Sequence, residues 1–367
     1  MEYIELPPSR ESVKRAGSAI KSAIKNNQSS NKDTDRALDI ISRWRAFHAI
    51  PMNSLRSSLR GKIKKLQNSS DILISRRLKR MPSILNKMLR IDGMSISNMQ
   101  DIAGVRVIFP NMDLLLAFKH ACEETYKSSE TKKITAGFVL VPVGNEDRYN
   151  YIDNPKKDGY RSLHQVYRFQ SKRYPELKGM QVELQLRTQL QHYWATAVET
   201  LGLILNASLK SGEGDEQYKE FFRLCGALFA YDEKTNVQSD FAAYTQTEII
   251  EKIISLNKSI NITTLLSGTT IVTNVIQRSG SKANNQYYLV QVDLDLQKVT
   301  YMEYSEKQIE EAEFAYKTLE KSVQEEKRNV EVVLISIDSI NNLRKTYPNY
   351  YLDATEFLKK LSSFGIN

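Results

Sequence analysis

The run Gln181-Val182-Glu183-Leu184-Gln185-Leu186-Arg187-Thr188 alternates apolar and polar side chains, and few folds accept that pattern. Successive side chains of a strand point to opposite faces, so Val182, Leu184 and Leu186 share one face and Glu183, Gln185 and Arg187 the other. An amphipathic helical pattern runs from Gln189 through Leu205 directly behind it. A strand that feeds a helix belongs in an α/β sheet. Polar groups on a covered face of such a sheet cost free energy unless they serve a site or a network. The alternative is an outward edge strand whose polar groups are satisfied.

The flanking sequence repeats the alternation. Asp101-Ile102-Ala103-Gly104-Val105-Arg106-Val107-Ile108-Phe109 reads as a strand with an acid at its entrance. A helix from Met112 to about Lys127, strands at about 137–143, 163–169 and 180–187, and a helix around Phe221 to Tyr231 complete the pattern. Upstream, Ala37, Leu38, Ile41, Trp44 and Phe47 share a helix face, Pro51 interrupts, and a second helix runs from about Leu55 to Gln67. From about 240 the pattern restarts, with strands at 269–277, 287–293, 299–304 and 330–337, a helix carrying Ile309 to Val323, and a final helical region. The predicted class is α/β (α+β), a mixed sheet flanked by helices with a second, smaller α/β domain. Its divisions are a flexible segment 1–35, a main domain 36–235, and a C-terminal domain 240–367 with a regulatory or oligomerising role. The Lys210–Asp215 stretch reads as a loop, and Tyr347-Pro348-Asn349-Tyr350-Tyr351 as a hydrophobic corner. His48, His192 and Trp194 read as packing residues.

A net charge of +9 and a pI near 9.2 favour polyanionic partners, nucleotides or nucleic acid. Much of that charge lies between Arg56 and Arg90, where Asp71 is the lone acid, and Lys79, Ser83, Lys87 and Arg90 recur at helical spacing. Cys122 and Cys225 stand far apart with no Cys-x-x-Cys pair, which excludes a zinc ribbon or a disulfide framework. Apolar runs such as Phe138–Val143 are too short for a membrane span. The expectation is a cytoplasmic protein with no membrane partner.

Tyr151-Ile152-Asp153-Asn154-Pro155-Lys156-Lys157-Asp158-Gly159-Tyr160-Arg161-Ser162-Leu163-His164 combines turn formers, cations and an aromatic ring. Those are the parts of a nucleotide site, with cations for phosphates and a flat ring for a base. Two acids, Asp101 and Glu183, open or occupy strands near a basic cluster. Mg²⁺ prefers one or two carboxylates plus phosphate oxygens, so the combination suits ATP handling. No Gly-x-x-x-x-Gly-Lys-Ser/Thr loop is present, so side chains rather than a P-loop would hold the phosphates.

Four blocks fall in a telling order: Arg77-Leu78-Lys79 with Ser83-Ile84 and Lys87; Asp101–Arg106; Asn154-Pro155-Lys156 with Gly159–His164; and Glu183–Thr188 with Trp194-Ala195. Together they resemble the synthetase domain of the RelA/SpoT family, over about residues 36 to 230. The resemblance implies a nucleotidyltransferase-like fold. It also implies a GTP diphosphokinase reaction that uses Mg²⁺, in which the 3′-hydroxyl of GDP or GTP attacks the β-phosphorus of ATP, giving (p)ppGpp and AMP. On that basis Asp101 binds metal, and Glu183 binds metal or takes the hydroxyl proton. Arg77, Lys79, Ser83, Lys87 and Arg106 attend ATP; Lys156, Tyr160, Arg161, His164, Gln185 and Arg187 attend the acceptor, with Tyr160 stacking on its base. Asp158 stands where the family carries Asn, which opens the choice of acceptor. Relatives that pyrophosphorylate tRNA 3′ ends or adenosine nucleotides supply the alternatives, with a silent nucleotide-binding module behind them. No His-Asp doublet occurs, so the hydrolase of longer members is not expected; a homo-oligomer is compatible with the resemblance.

Overall fold

The computed structural model describes residues 6–26, 32–66, 69–79, 81–129, 138–142, 149–204, 216–268, 285–293, 298–326, 330–336 and 354–367. The expected strand 269–277, the 210–215 loop and the 347–351 aromatic run lie outside them. The chain divides into two compact units, Met1–Asn150 with Ser162–Thr188, and Tyr151–Arg161 with Gln189–Asn367. They interleave along the sequence, whereas the expected domains followed one another.

The first unit is built on a five-stranded mixed sheet in the order β1-β2-β5-β4-β3. Its strands are β1 Leu73–Leu78, β2 Ala103–Phe109, β3 Phe138–Pro142, β4 Leu163–Ser171 and β5 Gln181–Thr188. β2 and β5 run parallel and the other pairs antiparallel. The alternation in β5 holds: Val182, Leu184 and Leu186 are buried, as are Val105 and Val107 beside them on β2. Helix α3, Ala49–Ile63, packs on β1, β2 and β5 through buried Leu55, Leu59 and Ile63, and α5, Met112–Ser129, packs on β2 and β5.

Two elements of this unit differ from expectation. Residues 10–25, read as part of a flexible segment, form helix α1, capped by Ser9, whose Oγ accepts the Ser12 N–H at 3.1 Å. Val13, Ala16, Gly17, Ile20 and Ala23 bury one face of α1, against α2, Lys32–Phe47. The polar composition reflects only its outer face. Pro51 does not interrupt a helix; it sits in the first turn of α3, where its missing N–H is harmless. His48, at the α2–α3 junction, is buried, donates Nδ1 to the Trp44 carbonyl at 2.8 Å, and packs edge-on to the Trp44 ring. Burial pushes its pKa down to about 4, so it is a neutral packing residue.

The second unit gathers α6, Gln189–Ile204, α7, Glu216–Asp232, and α8, Gln246–Ile260, around one apolar core. A helical segment at 262–268 follows α8. A three-stranded antiparallel sheet in the order β7-β6-β8 belongs to the same unit; its strands are β6 Asn285–Asp293, β7 Lys298–Ser305 and β8 Val330–Ser336. Helix α9, Ile309–Glu325, packs on this sheet, and α10, Thr355–Ser362, closes the unit. The expected boundary at 235–240 disappears because Phe357 of α10 lies between Phe222 and Phe229 of α7, with ring centroids 5.9 and 5.7 Å away. α7 therefore shares its core with the C-terminal residues.

Phe357 is fully buried, and truncating a buried aromatic removes transfer energy and leaves a cavity. Phe357→Ala is expected to lower the unfolding free energy by about 3–5 kcal/mol, measured by urea titration at neutral pH.

Candidate active site

Strand register places the polar groups of the first unit together. β1 sets Arg77 opposite Gly104; β2 sets Gly104 opposite Glu183 and Arg106 opposite Gln185; β4 sets His164 opposite Gln185. Directly opposed residues share a sheet face, so Arg77, Arg106, His164, Glu183 and Gln185 stand on one face. Gly104 leaves room there: a β-carbon on it would meet nothing nearer than the Glu183 carbonyl oxygen, at 3.8 Å.

Hydrogen bonds tie this face into a line. His164 Nδ1 lies 3.0 Å from one Glu183 oxygen, and Gln185 Nε2 donates to the other at 2.8 Å. Arg106 Nε donates to Gln185 Oε1 at 3.1 Å, and Arg187 Nη2 reaches the same oxygen at 3.5 Å. Arg106 and Arg187 are both buried. Burial by itself would raise the Glu183 pKa; the His164 and Gln185 contacts and the nearby Arg77 hold it at about 2.

Asp101 sits just ahead of β2. Lys79 Nζ lies 2.9 Å from one of its oxygens and Lys87 Nζ 2.8 Å from the other. Burial favours the neutral acid, but the two ammonium groups outweigh it and hold Asp101 below the usual carboxylate range, with Glu183 opposing them. Lys79 and Lys87 reach Asp101 from different elements: α4 spans only Met81–Arg90, and Lys79 follows β1 with its N–H on the Ile102 carbonyl at 2.7 Å. The Lys79 carbonyl accepts Arg45 Nε at 2.6 Å, which fixes the bend before α4. The expected single helix face through Lys79 and Lys87 is thus a strand end and a helix converging on one acid. Ser83 is exposed one turn before Lys87.

Among the described residues no three His, Cys, Asp or Glu side chains form a ready-made metal site. Mg²⁺ needs fewer protein ligands, one or two carboxylates completed by substrate oxygens and water. Two carboxylates held below their usual pKa range match that donor set.

The segment Tyr151–Arg161 belongs to the second unit. Gly159, at φ +86°, turns the chain; its N–H donates to the Lys156 carbonyl at 2.9 Å, and the Lys156 N–H donates to the Tyr160 carbonyl at 3.1 Å. Asp158 Oδ1 accepts the Tyr160 N–H at 2.9 Å, so the acid that replaces Asn makes an Asx-type turn. Lys156 Nζ lies 4.3 Å above the Tyr151 ring and 5.0 Å above the Tyr160 ring. A cavity of about 420 Å³ opens beside the segment, lined by Lys157, Asp158, Tyr160, Trp194, Phe222 and Arg223 among others. Arg161 points elsewhere: it is buried, with its guanidinium on the Glu233 carboxylate and 2.6 Å from Thr235 Oγ1. Trp194 is a packing residue whose Nε1–H donates to the Phe222 carbonyl at 2.7 Å.

Sequence reasoning missed Phe222, Arg223, Gly226 and Glu233. One signal was present: Gly226 interrupts the apolar stretch of α7, and a glycine inside a helix commonly marks a close approach. A β-carbon at Gly226 would lie 2.6 Å from the Gly159 carbonyl oxygen.

Residues 76–201 match the family model described as a region found in RelA / SpoT proteins. That stretch of the chain is similar to RelA/SpoT proteins. The GTP pyrophosphokinase YjbM of Bacillus subtilis is 32% identical over 130 residues, which cover 35% of this chain and 54% of that protein. The GTP pyrophosphokinase YwaC of the same organism is 27% identical over 146 residues, covering 38% of this chain and 62% of that protein. The chain spans about half the length of the curated relatives it matches. The crystal structure of small alarmone synthetase 1 from Bacillus subtilis is 24% identical, covers 52% of this chain and 93% of that one, and gives a TM-score of 0.38. Of the residues discussed above, Asp101, Tyr160, Arg161 and Glu183 fall inside the RelA/SpoT match, whereas Arg223, Gly226 and Glu233 fall beyond it.

The Glu183 pKa near 2, against an ordinary 4.5, means the folded chain binds this proton more weakly than the unfolded chain does. Its contribution to stability is fully present above about pH 4.5 and is lost as the pH falls through about 2. Glu183→Gln is expected to flatten the dependence of unfolding free energy on pH across that window, measured by denaturant titration; an unchanged slope would contradict the pairing with His164.

Proposed function

We propose that the chain transfers the β,γ-pyrophosphoryl group of ATP to the 3′-hydroxyl of GDP or GTP. The acceptor oxygen bonds to the β-phosphorus, the bond from that phosphorus to the α,β-bridging oxygen breaks, AMP leaves with the electron pair, and the hydroxyl proton passes to solvent. The observation that carries this reading is geometric: Asp101 stands just ahead of β2 with Lys79 and Lys87 on its two oxygens, and β2 in turn sets Gly104 across from both Glu183 and Arg77. The RelA/SpoT match and the likeness to two GTP pyrophosphokinases support it.

Asp101 and Glu183 would hold Mg²⁺, which neutralises phosphate charge during transfer. A carboxylate with a pKa near 2 holds a cation well and a proton poorly. Glu183 would therefore serve as a metal ligand rather than store the hydroxyl proton, and His164 and Gln185 fix its two oxygens. Lys79, Lys87 and Arg77 take the ATP phosphates, and Arg106 steadies Gln185. Tyr160 offers its ring to the acceptor base, and Lys156 sets the charge beside it.

Purified protein with Mg-ATP and labelled GDP or GTP is expected to give AMP and a 3′-diphosphorylated guanosine nucleotide in equal amounts. Adenosine nucleotides and tRNA serve as competing acceptors in the same assay, and transfer to one of these alone would replace the reading. Asp101→Asn and Glu183→Gln are each expected to lower kcat by at least about 100-fold, since metal-borne charge stabilisation is worth several kcal/mol, with folding checked by circular dichroism.

A further inference from the structure

The segment that carries Tyr160 is held by residues outside the RelA/SpoT match. Its underside meets α7 where Gly159 and Gly226 leave no room for a side chain on either partner: a β-carbon on Gly159 would lie 3.0 Å from the Arg223 Cα and 3.1 Å from the Phe222 carbonyl oxygen. Behind α7 the chain returns hydrogen bonds to the segment, from Asn236 Nδ2 to the Asp153 carbonyl at 2.8 Å and from Gln238 Nε2 to the Lys157 carbonyl at 3.2 Å. The strongest tie is the ion pair of Arg161 with Glu233. Their side chains are only 3% and 6% exposed, and Gln191 Nε2 donates to the same Glu233 oxygen at 3.1 Å.

A buried ion pair is costly to break from one side, because the remaining charge keeps its desolvation penalty without a partner. Arg161 cannot turn toward a ligand phosphate without taking from the buried Glu233 carboxylate its cationic partner in the Arg161–Glu233 pair. Its place next to Tyr160 in the chain means that whatever fixes Arg161 fixes the backbone from which the ring projects.

We infer that Arg161 and Glu233 are positioning residues, a buried clasp that sets the acceptor segment through Tyr160, and that Arg161 does not itself contact the acceptor. This rests on the proposed reading of Tyr160 as the acceptor-base platform. The kinetic part of the clasp follows from that reading, and the structural part stands without it.

Glu233→Ala, Glu233→Gln and the paired replacement Arg161→Met with Glu233→Leu separate the possibilities. In the full chain, Glu233→Ala is expected to raise the acceptor KM by about tenfold or more, about 1.4 kcal/mol of binding, with the ATP KM within about twofold of the original. Glu233→Gln keeps the shape and a hydrogen bond and is expected to show a smaller rise. Apolar residues of similar volume commonly replace a buried pair without loss of stability, so the paired replacement is expected to bring the acceptor KM back toward the original. If Arg161 were a phosphate ligand, freeing it with Glu233→Ala would leave the acceptor KM unchanged or lower it, and the paired replacement would leave it high. Either result overturns the inference.

Limited trypsin digestion supplies a readout independent of activity: cleavage after Lys156 or Lys157 is expected to be several-fold faster in Glu233→Ala and restored in the paired replacement. Unaltered cleavage in a folded Glu233→Ala protein overturns the clasp. Should Glu233→Ala fail to fold, Glu233→Gln carries the same comparison. A protein that transfers pyrophosphate to no acceptor, yet shows this change in cleavage, would retain the clasp and lose the proposed activity instead.

Discussion

The parallel pairing of β2 with β5 is the constraint on which the first unit's chemistry depends. It sets Gly104 across from Glu183, so a residue without a side chain stands beside that carboxylate. A slip of β5 by one residue would turn Glu183 and Gln185 to the other face and Val182 and Leu184 toward the polar one. The buried apolar residues of β2 and β5, covered by α3 and α5, oppose such a slip. The same hydrophobic burial that stabilises the sheet therefore fixes where its charges stand.

Much of this unit was legible in the sequence because alternation is a direct signature of register. β2, β4 and β5 were readable to within a few residues, and Asp101 and Glu183 stood out as acids in strand surroundings. β1 was not legible: Leu73–Leu78 carries two adjacent arginines and lies within a basic run, so its composition resembles a charged helix. Its strand form comes from pairing with β2, a tertiary effect that local pattern does not encode. Helix α1 was obscured for a related reason, since small residues such as Ala16, Gly17 and Ala23 bury a face without a strong apolar signal.

The second unit shows the other limit of sequence reading. Arg161 is an arginine inside a nucleotide-site motif, and only the structure shows its charge turned inward to Glu233, more than seventy residues on. Motif matching supplies residue types, whereas direction and burial come from partners that are distant in sequence. Three ionic arrangements illustrate the range. Two lysines share Asp101 at a partly exposed position, a histidine and a glutamine grip Glu183, and a sealed arginine–glutamate pair lies next to Tyr160 in the chain. The first keeps its cations near solvent, whereas the last has no such freedom.

The contact between Gly159 and Gly226 bears on where the folded unit around Tyr160 ends. A fragment cut at the edge of the RelA/SpoT match, near residue 201, would retain the carboxylates and cations of the first unit and the ring of Tyr160. It would lack the helix on which the acceptor turn is moulded, and an apolar strip including Trp194 and Val198 would lose its cover of Phe221, Phe222 and Leu228. Any graft of the Lys156–Tyr160 turn onto another scaffold must bring a glycine-notched helix with it, and α7 in its turn needs Phe357 of α10 to fill its core.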